Sequence, residues 1–410
     1  MTTNDQKVVM MGLGYIGLPT AALIASKKIP VHGVDVNKDV VNTINKGEIH
    51  IVEPDLDGLV KNCVERGFLI ADTQPCEADV YLIAVPTPFK GNYEPDISYV
   101  LKATEMLCPK LKEGDLVILE STSPVGTTEK MAEFIWNLRP ELKGALYIAY
   151  CPERVLPGNV IYELEHNDRV IGGLDKVSTQ HAIAFYRQFV KGKLHKTNAR
   201  TAEMCKLVEN SSRDNSIAFA NELSMICDTA EINVWELIDL ANRHPRVNIL
   251  KPGTGVGGHC IAVDPWFIVS EFPEQAKIIR QSREINNYKT EWALEKIRSS
   301  AFKFKAENGR VPKIACMGLA FKPDIDDLRE SPALKLVSEL LAADEFEILP
   351  VEPNIKHSKG VDLYPYAQAM EEADIVVFLV GHREFYDLDV EDKIVLNFCG
   401  VTKVVKEYIQ

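Results

Sequence analysis

The sequence of 410 residues predicts an α/β protein with a doubly wound parallel sheet near its N-terminus, a long central helical region and a smaller α/β region near its C-terminus. Two observations carry this prediction. Short apolar runs alternate with helical patterns through residues 7–150 and again through 313–398, which is typical of parallel sheets covered by helices. Between them, residues 193–244 and 274–308 contain neither Gly nor Pro, which indicates long helices.

The predicted strands follow the apolar runs in chain order. In the N-terminal region they cover residues 7–11, 31–35, 79–85, 115–120 and 145–150, and in the C-terminal region 313–319, 346–351, 374–381 and 393–398. Residues 193–244 predict one long helix or a pair of helices, and residues 274–308 predict another. We therefore expect three domains, at residues 1–192, 193–309 and 310–410.

Composition excludes several classes of partner. The formal net charge of −13 argues against binding to nucleic acid or to an anionic membrane, so a phosphorylated ligand needs locally placed cations. The sequence shows no apolar run of membrane-spanning length and no leader-like start, which predicts a cytosolic protein. Its nine cysteines are scattered without a CxxC pair, which predicts reduced thiols and no metal site.

A glycine-rich turn follows the first predicted strand directly. Gly12, Gly14 and Gly17 in the segment Gly-Leu-Gly-Tyr-Ile-Gly permit a tight turn, the approach of a pyrophosphate and close packing of the next helix. The second predicted strand ends in Asp35, where a carboxylate can accept hydrogen bonds from an adenine ribose. This pattern predicts a Rossmann domain that binds NAD, although Lys38 leaves NADP open and incidental glycines in a turn are the alternative.

Two further patterns are each compatible with both a functional and a purely structural role. Lys206, Asn210 and Arg213 have the i, i+4, i+7 spacing of one helical face, which suits either a binding face or an ordinary solvated face. Cys260 ends a loop that contains four glycines within six residues, at 253, 255, 257 and 258, and Asp264 lies four residues further on. A nucleophilic thiol and an inert buried thiol explain that cysteine equally well.

Six separated segments together give the chain a resemblance to a known family. It resembles the nucleotide-sugar 6-dehydrogenases, which include the UDP-glucose and GDP-mannose dehydrogenases. The segments that carry the resemblance, in chain order, are 12–17, 121–128, 151–154, Lys206 with Asn210, 257–260, and 321–324 with 328–332.

The resemblance implies a four-electron oxidation of a sugar C6 hydroxyl to a carboxylate, which consumes two NAD and one water. A cysteine matches the family's nucleophile, because an aldehyde yields a second hydride only after a nucleophile has added to it. The implied catalytic residues are Cys260, Lys206, Asn210, Asp264, Glu153 and Thr122. The implied NAD-binding residues are Gly12, Gly14, Tyr15, Ile16, Gly17, Asp35, Thr87, Thr127 and Arg329. The implied substrate-binding residues are Arg154, Val155, Lys206, Asn210, Arg213, His244, Arg246, Gly257 and Lys322.

Within these sets the resemblance assigns individual roles. Lys206 would move a proton and stabilise negative oxygen, Asn210 would orient sugar or water, and Asp264 and Glu153 would handle the hydrolytic water. The family also implies a homodimer formed through the long central helix and a smaller Rossmann-like C-terminal domain that binds the nucleotide-sugar. Residues 396–400 depart from the family's pattern, because Asn-Phe-Cys-Gly replaces the usual Asp-x-Lys/Arg-Gly at 397–400.

Three segments narrow the implied substrate. Residues 48–56, 242–250 and 259–267 most resemble family members that oxidise UDP-N-acetyl-D-mannosamine, a reaction that supplies bacterial surface polysaccharide. UDP-N-acetylglucosamine and UDP-glucose remain alternatives, because one inverted carbon is read by few contacts. A one-step hydroxy-acid dehydrogenase, which needs no cysteine, and a non-enzymatic NAD-dependent regulator are the rival classes.

Overall fold

The computed structural model describes residues 6–401 apart from 92, 156–157, 259, 356–357, 359 and 387. Contacts divide the chain into two compact units, residues 1–209 and 210–410. Among the described residues, no helix combines the length and the apolar character that a membrane span requires.

The first unit contains an eight-stranded sheet among its described residues, which confirms the predicted doubly wound parallel sheet. The strands lie in the order β10-β9-β8-β7-β4-β1-β2-β3, and all neighbours are parallel except β8 and β9, which are antiparallel. A separate antiparallel pair is formed by β5 and β6. The strands are β1 (Val8–Met11), β2 (Val31–Val34), β3 (Leu69–Asp72), β4 (Val80–Ile83), β5 (Phe89–Lys90), β6 (Glu94–Pro95), β7 (Leu116–Leu119), β8 (Tyr147–Tyr150), β9 (Arg169–Gly173) and β10 (Leu194–Asn198).

Helices cover both faces of this sheet. Alternate residues of β1 belong to different cores: Val8 and Met10 pack into one apolar cluster and Val9 and Met11 into the other. Burial on both faces explains why the central strands are continuous apolar runs. The helices are α1 (Gly17–Ser26), α2 (Lys38–Asn45), α3 (Leu56–Glu65), α4 (Ser98–Leu107), α5 (Thr127–Leu138), α6 (Val160–His166) and α7 (Lys176–Tyr186), with short 3-10 turns at Cys108–Lys110 and Pro140–Leu142.

The stretch 193–244 is a strand followed by a pair of helices. The prediction of helix is wrong for Leu194–Asn198, because these residues pair in parallel with β9 as the edge strand β10. The long helix α8 (Ala199–Thr229) follows directly, and α9 (Val234–Ala241) begins after a break at which Glu231 has a left-handed φ of 56°. Asn233 starts α9, because its side chain accepts the N–H groups of Trp235 and Glu236.

The second unit contains a four-stranded parallel sheet, which confirms the predicted C-terminal α/β region. Its strands lie in the order β12-β11-β13-β14. The predicted helix over 274–308 begins three residues later than expected, at Lys277, and ends at Gly309 with a φ of 70°. The elements are α10 (Asp264–Glu271), α11 (Lys277–Asn308), β11 (Lys313–Met317), α12 (Pro332–Ala343), β12 (Glu347–Val351), α13 (Tyr366–Glu372), β13 (Ile375–Phe378) and β14 (Ile394–Asn397), with a 3-10 turn at Arg383–Phe385.

Within the second unit, α8 and α11 pack through buried polar side chains. The Arg283 guanidinium pairs with the Asp214 carboxylate at 2.6 Å, and Asn286 donates both to that carboxylate and to the Asp214 carbonyl. Asn221 donates in turn to the Asn286 side-chain oxygen at 2.9 Å. Buried polar groups persist only when they are hydrogen-bonded, so this polar contact fixes the two helices in one register.

Candidate active site

The glycine turn after β1 has the geometry of a dinucleotide site. Gly12 has a φ of 89°, and a Cβ there would lie 2.5 Å from the Ala84 carbonyl oxygen. A Cβ at Gly17 would overlap the Gly12 carbonyl, so that glycine lets α1 pack onto the turn. Gly14 has no heavy atom within 4 Å of its Cβ position and is exposed, which leaves its backbone open to a pyrophosphate.

The acidic residue of the fingerprint lies beside this turn. Asp35 follows β2, and its carboxylate accepts the Leu13 N–H at 3.1 Å and the Asn37 N–H at 2.9 Å. Its side chain is half-buried, as a carboxylate that also meets a ribose must be. Tyr15 is exposed and Ile16 is half-buried at the start of α1, so the turn places both beside the open backbone.

The polar residues that follow β4 and β7 meet at the carboxyl edge of the sheet. The Thr87 hydroxyl donates to the Thr122 carbonyl at 2.6 Å, and both residues are half-buried. Thr127 begins α5 but is fully buried, and its hydroxyl donates to the Pro124 carbonyl. The buried Glu203 of α8 accepts the N–H groups of Gly126 and Thr128 at this helix start. The N-terminus of α5 is therefore capped by the protein's own carboxylate.

The segment after β8 carries three of the expected site residues. Glu153 is nearly buried, and its carboxylate lies 2.9 Å from the Arg169 guanidinium. Arg154 pairs with Glu209 of α8 at 2.7 Å, and Val155 is half-buried. Residues 156–157 lie outside the described part of the chain. Beyond them, the buried Glu53 accepts backbone N–H groups at residues 158 and 160, which anchors the end of the segment at the start of α6.

Helix α8 carries Lys206, Asn210 and Arg213 at the predicted spacing on one face. Lys206 and Asn210 are half-buried, and Arg213 is exposed. In the second unit, the Asn210 side-chain amide donates to the Asp264 carboxylate at 2.5 Å. Asp264 is buried at the start of α10, and its N–H donates to the Cys260 carbonyl at 2.8 Å. Three of the expected catalytic residues are thus connected through hydrogen bonds.

Cys260 is exposed at the end of the glycine-rich loop, so this thiol is not buried, and its role as a nucleophile stays a prediction. His259, which belongs to the same motif, lies outside the described residues. The loop is held from α8 and α11: the Gly253 N–H donates to the Asn221 side chain at 2.9 Å, and the Thr290 hydroxyl donates to the Thr254 carbonyl at 3.0 Å. The nucleophile candidate therefore lies on an anchored loop.

The glycines of this loop have a packing role that the sequence analysis did not assign. A Cβ at Gly257 would overlap the Glu330 carbonyl oxygen, and one at Gly258 would lie 3.0 Å from the Phe321 ring. Gly253 differs, because the nearest heavy atom to its Cβ position is 3.9 Å away. Close approach of the loop 319–331 to the cysteine loop thus explains the glycines nearest Cys260 without a ligand.

Two loops of the second unit carry the remaining expected cations. His244 and Arg246 are exposed in the turn after α9, which is closed by paired hydrogen bonds between Asn242 and Ile249. Lys322 is half-buried in the loop after β11. In the same loop, Arg329 is bound by Asp327 at 2.6 Å. That ion pair accounts for Arg329 without a cofactor contact, so its role in NAD binding stays a prediction.

The second sheet repeats the glycine turn of the first. The Gly12 N–H donates to the Val34 carbonyl at 2.8 Å, and the Gly318 N–H donates to the Val351 carbonyl at 2.8 Å. Glu352 follows β12 as Asp35 follows β2, but it is buried and accepts from Leu319, Ala320 and His382. Among the described residues, Asp324, His382 and Glu384 have potential metal ligands within 4.8 Å of one another. Both ring nitrogens of His382 are already hydrogen-bonded, so this group offers no open nitrogen ligand.

A Rossmann sheet with an open glycine turn and an acid after its second strand defines a dinucleotide-binding protein. Comparison with known families is consistent with that class. The UDP-glucose/GDP-mannose dehydrogenase family matches the chain with its NAD binding domain at residues 6–190, its central domain at 200–288 and its UDP binding domain at 315–403. The chain belongs to this family, its cofactor is NAD, and it is an NAD-dependent oxidoreductase.

Individual relatives are similar over nearly the whole chain. UDP-N-acetyl-D-mannosamine dehydrogenase of Campylobacter jejuni is 56% identical, covering 96% of this chain and 99% of its own. NDP-N-acetyl-D-galactosaminuronic acid dehydrogenase of Ralstonia nicotianae is 52% identical over 96% of each chain. Among solved structures, UDP-D-ManNAc dehydrogenase from Pyrococcus horikoshii has a TM-score of 0.86 at 38% identity, covering 97% of this chain and 96% of its own.

Several residues that hold the site were absent from the sequence-based prediction. They are Glu53, Glu120, Arg169, Tyr186, Glu203 and Phe321. Each acts through a partner far away in the sequence, as Glu53 does with residues 158 and 160. The signal for Glu53 lay in segment 48–56, which entered the resemblance only as a marker of substrate.

Proposed function

We propose that the protein oxidises the C6 hydroxyl of UDP-N-acetyl-D-mannosamine to the carboxylate in two steps, which makes UDP-N-acetyl-D-mannosaminuronate. The substrate is supported by the 56% identity to the Campylobacter jejuni dehydrogenase over almost the full length of both chains. The observation that carries the two-step chemistry is the exposed Cys260 on an anchored loop within an NAD-dependent dehydrogenase. The product is an activated uronic acid of the kind that surface polysaccharides incorporate.

Cys260, Lys206 and Thr122 would act at C6 of the sugar. When bound, NAD would supply the hydride acceptor for each of the two oxidations, so two NAD would be consumed per sugar. The Cys260 thiolate adds to the aldehyde carbon and forms a thiohemiacetal, which the second oxidation converts to a thioester. Lys206 takes the proton from the C6 hydroxyl and stabilises the negative oxygen of each intermediate. Thr122 lies near the reacting carbon in this proposal.

Hydrolysis would then release the acid. A water oxygen bonds to the thioester carbon, the carbon–sulfur bond breaks, and the cysteine leaves as thiolate. Asp264 and Glu153 orient this water and accept its proton, and Asn210 holds Asp264, whose carboxylate it already contacts at 2.5 Å. Arg154, Val155, Arg213, His244, Arg246, Gly257 and Lys322 bind the nucleotide-sugar in this proposal.

The cofactor would use the open turn of the first unit. Gly12, Gly14 and Gly17 would admit its pyrophosphate, and Asp35 would accept from the adenine ribose. The other residues of the site would be Tyr15, Ile16, Thr87, Thr127 and Arg329.

We also propose a homodimer formed through α8, and a domain division at residues 192 and 309. The need for a reduced thiol favours the cytoplasm.

The test measures NADH per sugar with four substrates in parallel: UDP-N-acetylmannosamine, UDP-N-acetylglucosamine, UDP-N-acetylgalactosamine and UDP-glucose. We expect two NADH per sugar and the highest kcat/KM with UDP-N-acetylmannosamine. Preference for the galactosamine would favour the activity of the Ralstonia relative, and equal rates on all four would refute the narrow assignment. One NADH per sugar with an indifferent Cys260→Ala variant would indicate a one-step dehydrogenase.

A further inference from the structure

A group of buried titratable side chains lies behind Glu153 and has no part in the proposed chemistry. It consists of Glu120 after β7, Cys151 after β8, Arg169 at the start of β9 and Tyr186 at the end of α7. All four are essentially inaccessible to solvent. Burial without water makes every charge in this group costly unless it is paired.

The reversed direction of β9 explains how an arginine reaches this position. The carboxyl ends of β4, β7 and β8 form the ligand-binding edge of the sheet. Because β9 runs antiparallel to β8, with Tyr150 opposite Gly172, its first residue lies at the edge where the other strands end. Arg169 is that first residue, and it meets the carboxylate that follows β8.

Contacts on three sides immobilise the Arg169 guanidinium. One nitrogen lies 2.9 Å from the Glu153 carboxylate, and another donates to the Leu164 carbonyl at 3.1 Å. The guanidinium carbon lies 5.1 Å from the centre of the Tyr186 ring. The other Glu153 oxygen accepts the Arg154 N–H at 2.6 Å, so both oxygens of this carboxylate are located by the protein.

Glu120 is a second carboxylate that could compete for the same cation. The Tyr186 hydroxyl donates to Glu120 at 2.5 Å and so holds it. Burial raises the pKa of Glu120 to about 7, against the lowering effects of the Arg169 charge and of the Tyr186 hydrogen bond, while the Glu153 charge raises it further. Below pH 7 most of Glu120 keeps its proton, and the charge of Arg169 then serves Glu153 alone.

We propose that Arg169 is a positioning residue for Glu153 in thioester hydrolysis, and that the Tyr186–Glu120 pair keeps the guanidinium on that carboxylate. The proposal rests on the proposed function. In the step concerned, the water proton passes to Glu153 while the carbon–sulfur bond breaks. Arg169 itself gains and loses no proton, and it fixes the position from which Glu153 receives one.

The first experiment uses Arg169→Lys, which keeps the charge but loses the fork of the guanidinium. Rapid quenching and intact-mass measurement of the enzyme follow the thioester adduct, which hydroxylamine discharges. We expect hydrolysis to slow by at least about 10-fold, so that the adduct accumulates, while KM and the first oxidation change less than about threefold. Arg283→Lys is the matched control, since it alters another buried ion pair, with Asp214. Wild-type hydrolysis in a folded Arg169→Lys protein would overturn the proposal.

A second pair of variants keeps the proposal testable if that protein does not fold. Tyr186→Phe frees Glu120 to compete for Arg169. Because loss of the Tyr186 hydrogen bond raises the pKa of Glu120 further, hydrolysis should slow more at pH 9, where a larger fraction of Glu120 is ionised, than at pH 6. Adding Glu120→Gln should restore at least about half of the lost rate, because an amide cannot compete as an anion. Equal pH profiles of hydrolysis in wild type and Tyr186→Phe would refute the positioning role.

Glu153→Gln separates failure of this inference from failure of the proposed function. If it accumulates adduct and Arg169→Lys does not, the inference fails and the hydrolytic role of Glu153 stands. If neither Glu153→Gln nor Arg169→Lys accumulates adduct, both the positioning role of Arg169 and the hydrolytic role of Glu153 are wrong. If the wild type makes no acid from any nucleotide-sugar tested, the proposed function itself is wrong.

Discussion

Lys289 is a buried ammonium group whose surroundings are mostly uncharged. Its nitrogen donates to the Ser224 hydroxyl at 2.7 Å and lies 3.7 Å from the centre of the Trp292 ring. Asp228, the nearest acid that raises its pKa, forms an ion pair with Lys296. Burial is the main effect and lowers the pKa of Lys289 to about 7. This single residue therefore links stability to pH.

We expect the free energy of unfolding to rise with pH because of this lysine. Its folded pKa lies below its unfolded value, so the folded state binds the proton less tightly, and stability is recovered as pH rises from about 7 toward 10. Between pH 7 and 9 the gain is roughly 2 kcal/mol. Lys289→Met should abolish that gain in denaturant unfolding followed by tryptophan fluorescence. Lys303→Met, at an exposed lysine of the same helix, is the control, and an unchanged pH dependence in Lys289→Met would contradict the prediction.

Asp35 should determine which cofactor the protein accepts. In the proposed site its carboxylate would repel a 2′-phosphate and accept from a ribose hydroxyl, and a charged hydrogen bond is worth about 1.5–3 kcal/mol. Asp35→Ala should raise the KM for NAD by at least about 10-fold. It should also lower the ratio of kcat/KM for NAD to kcat/KM for NADP. The measurement is kcat/KM with both cofactors. Lys38→Ala provides the comparison, and an unchanged ratio in Asp35→Ala would exclude this role.

At the scale of elements, the cysteine loop depends on contacts that glycine alone permits. A side chain at Gly257 would overlap the Glu330 carbonyl, whereas one at Gly253 has room. Gly257→Ala should therefore shift the loop and lower kcat by at least about 10-fold, with a loss of stability of roughly 1–3 kcal/mol. Gly253→Ala is its matched control and should stay within about twofold. The measurements are kcat and the thermal unfolding midpoint of both variants. Equal losses in Gly257→Ala and Gly253→Ala would refute the packing explanation.

The elements that sequence reasoning found are those with a buried pattern of their own. Strands β1, β4 and β7 are buried throughout, so their apolar runs identify them. Strand β10 has the sequence Leu-His-Lys-Thr-Asn with no fully buried residue, because it lies at the sheet edge. It is held by its backbone pairing with β9. Site residues differ in the same way, because some are recognised from a local sequence pattern and others depend on contacts between distant strands. The Gly12–Asp35 pattern is local, whereas the ion pair of Glu153 with Arg169 depends on the reversal of a whole strand.

At the scale of the whole molecule, helix α8 presents apolar side chains to solvent. Val208, Phe219 and Ile226 are 42%, 55% and 56% exposed, and their spacings of 11 and 7 residues put them on one helical face. We propose this row as the contact face of the homodimer. It supports the proposed homodimer.

Phe219→Glu should convert the dimer to a monomer. Burying a glutamate without a partner in the interface has a high desolvation free energy, which weakens association. The dissociation constant of the dimer should therefore rise by at least about 100-fold. Sedimentation equilibrium measures the mass directly. Phe302→Glu, at a similarly exposed Phe on α11, should leave the assembly unchanged. A wild-type monomer, or a dimer that survives Phe219→Glu, would show that this face is not the interface.

The two glycine turns have diverged in what they can recognise. In the first, Asp35 makes two backbone hydrogen bonds and remains half-buried, so it can still bind a diffusing ligand. In the second, Glu352 accepts from three backbone amides and from His382, and α12 begins only at Pro332, 14 residues after Gly318. A turn closed in this way offers no open carboxylate to a ribose, so we expect the second sheet to bind no dinucleotide. This difference agrees with the separate NAD binding and UDP binding domains of the family.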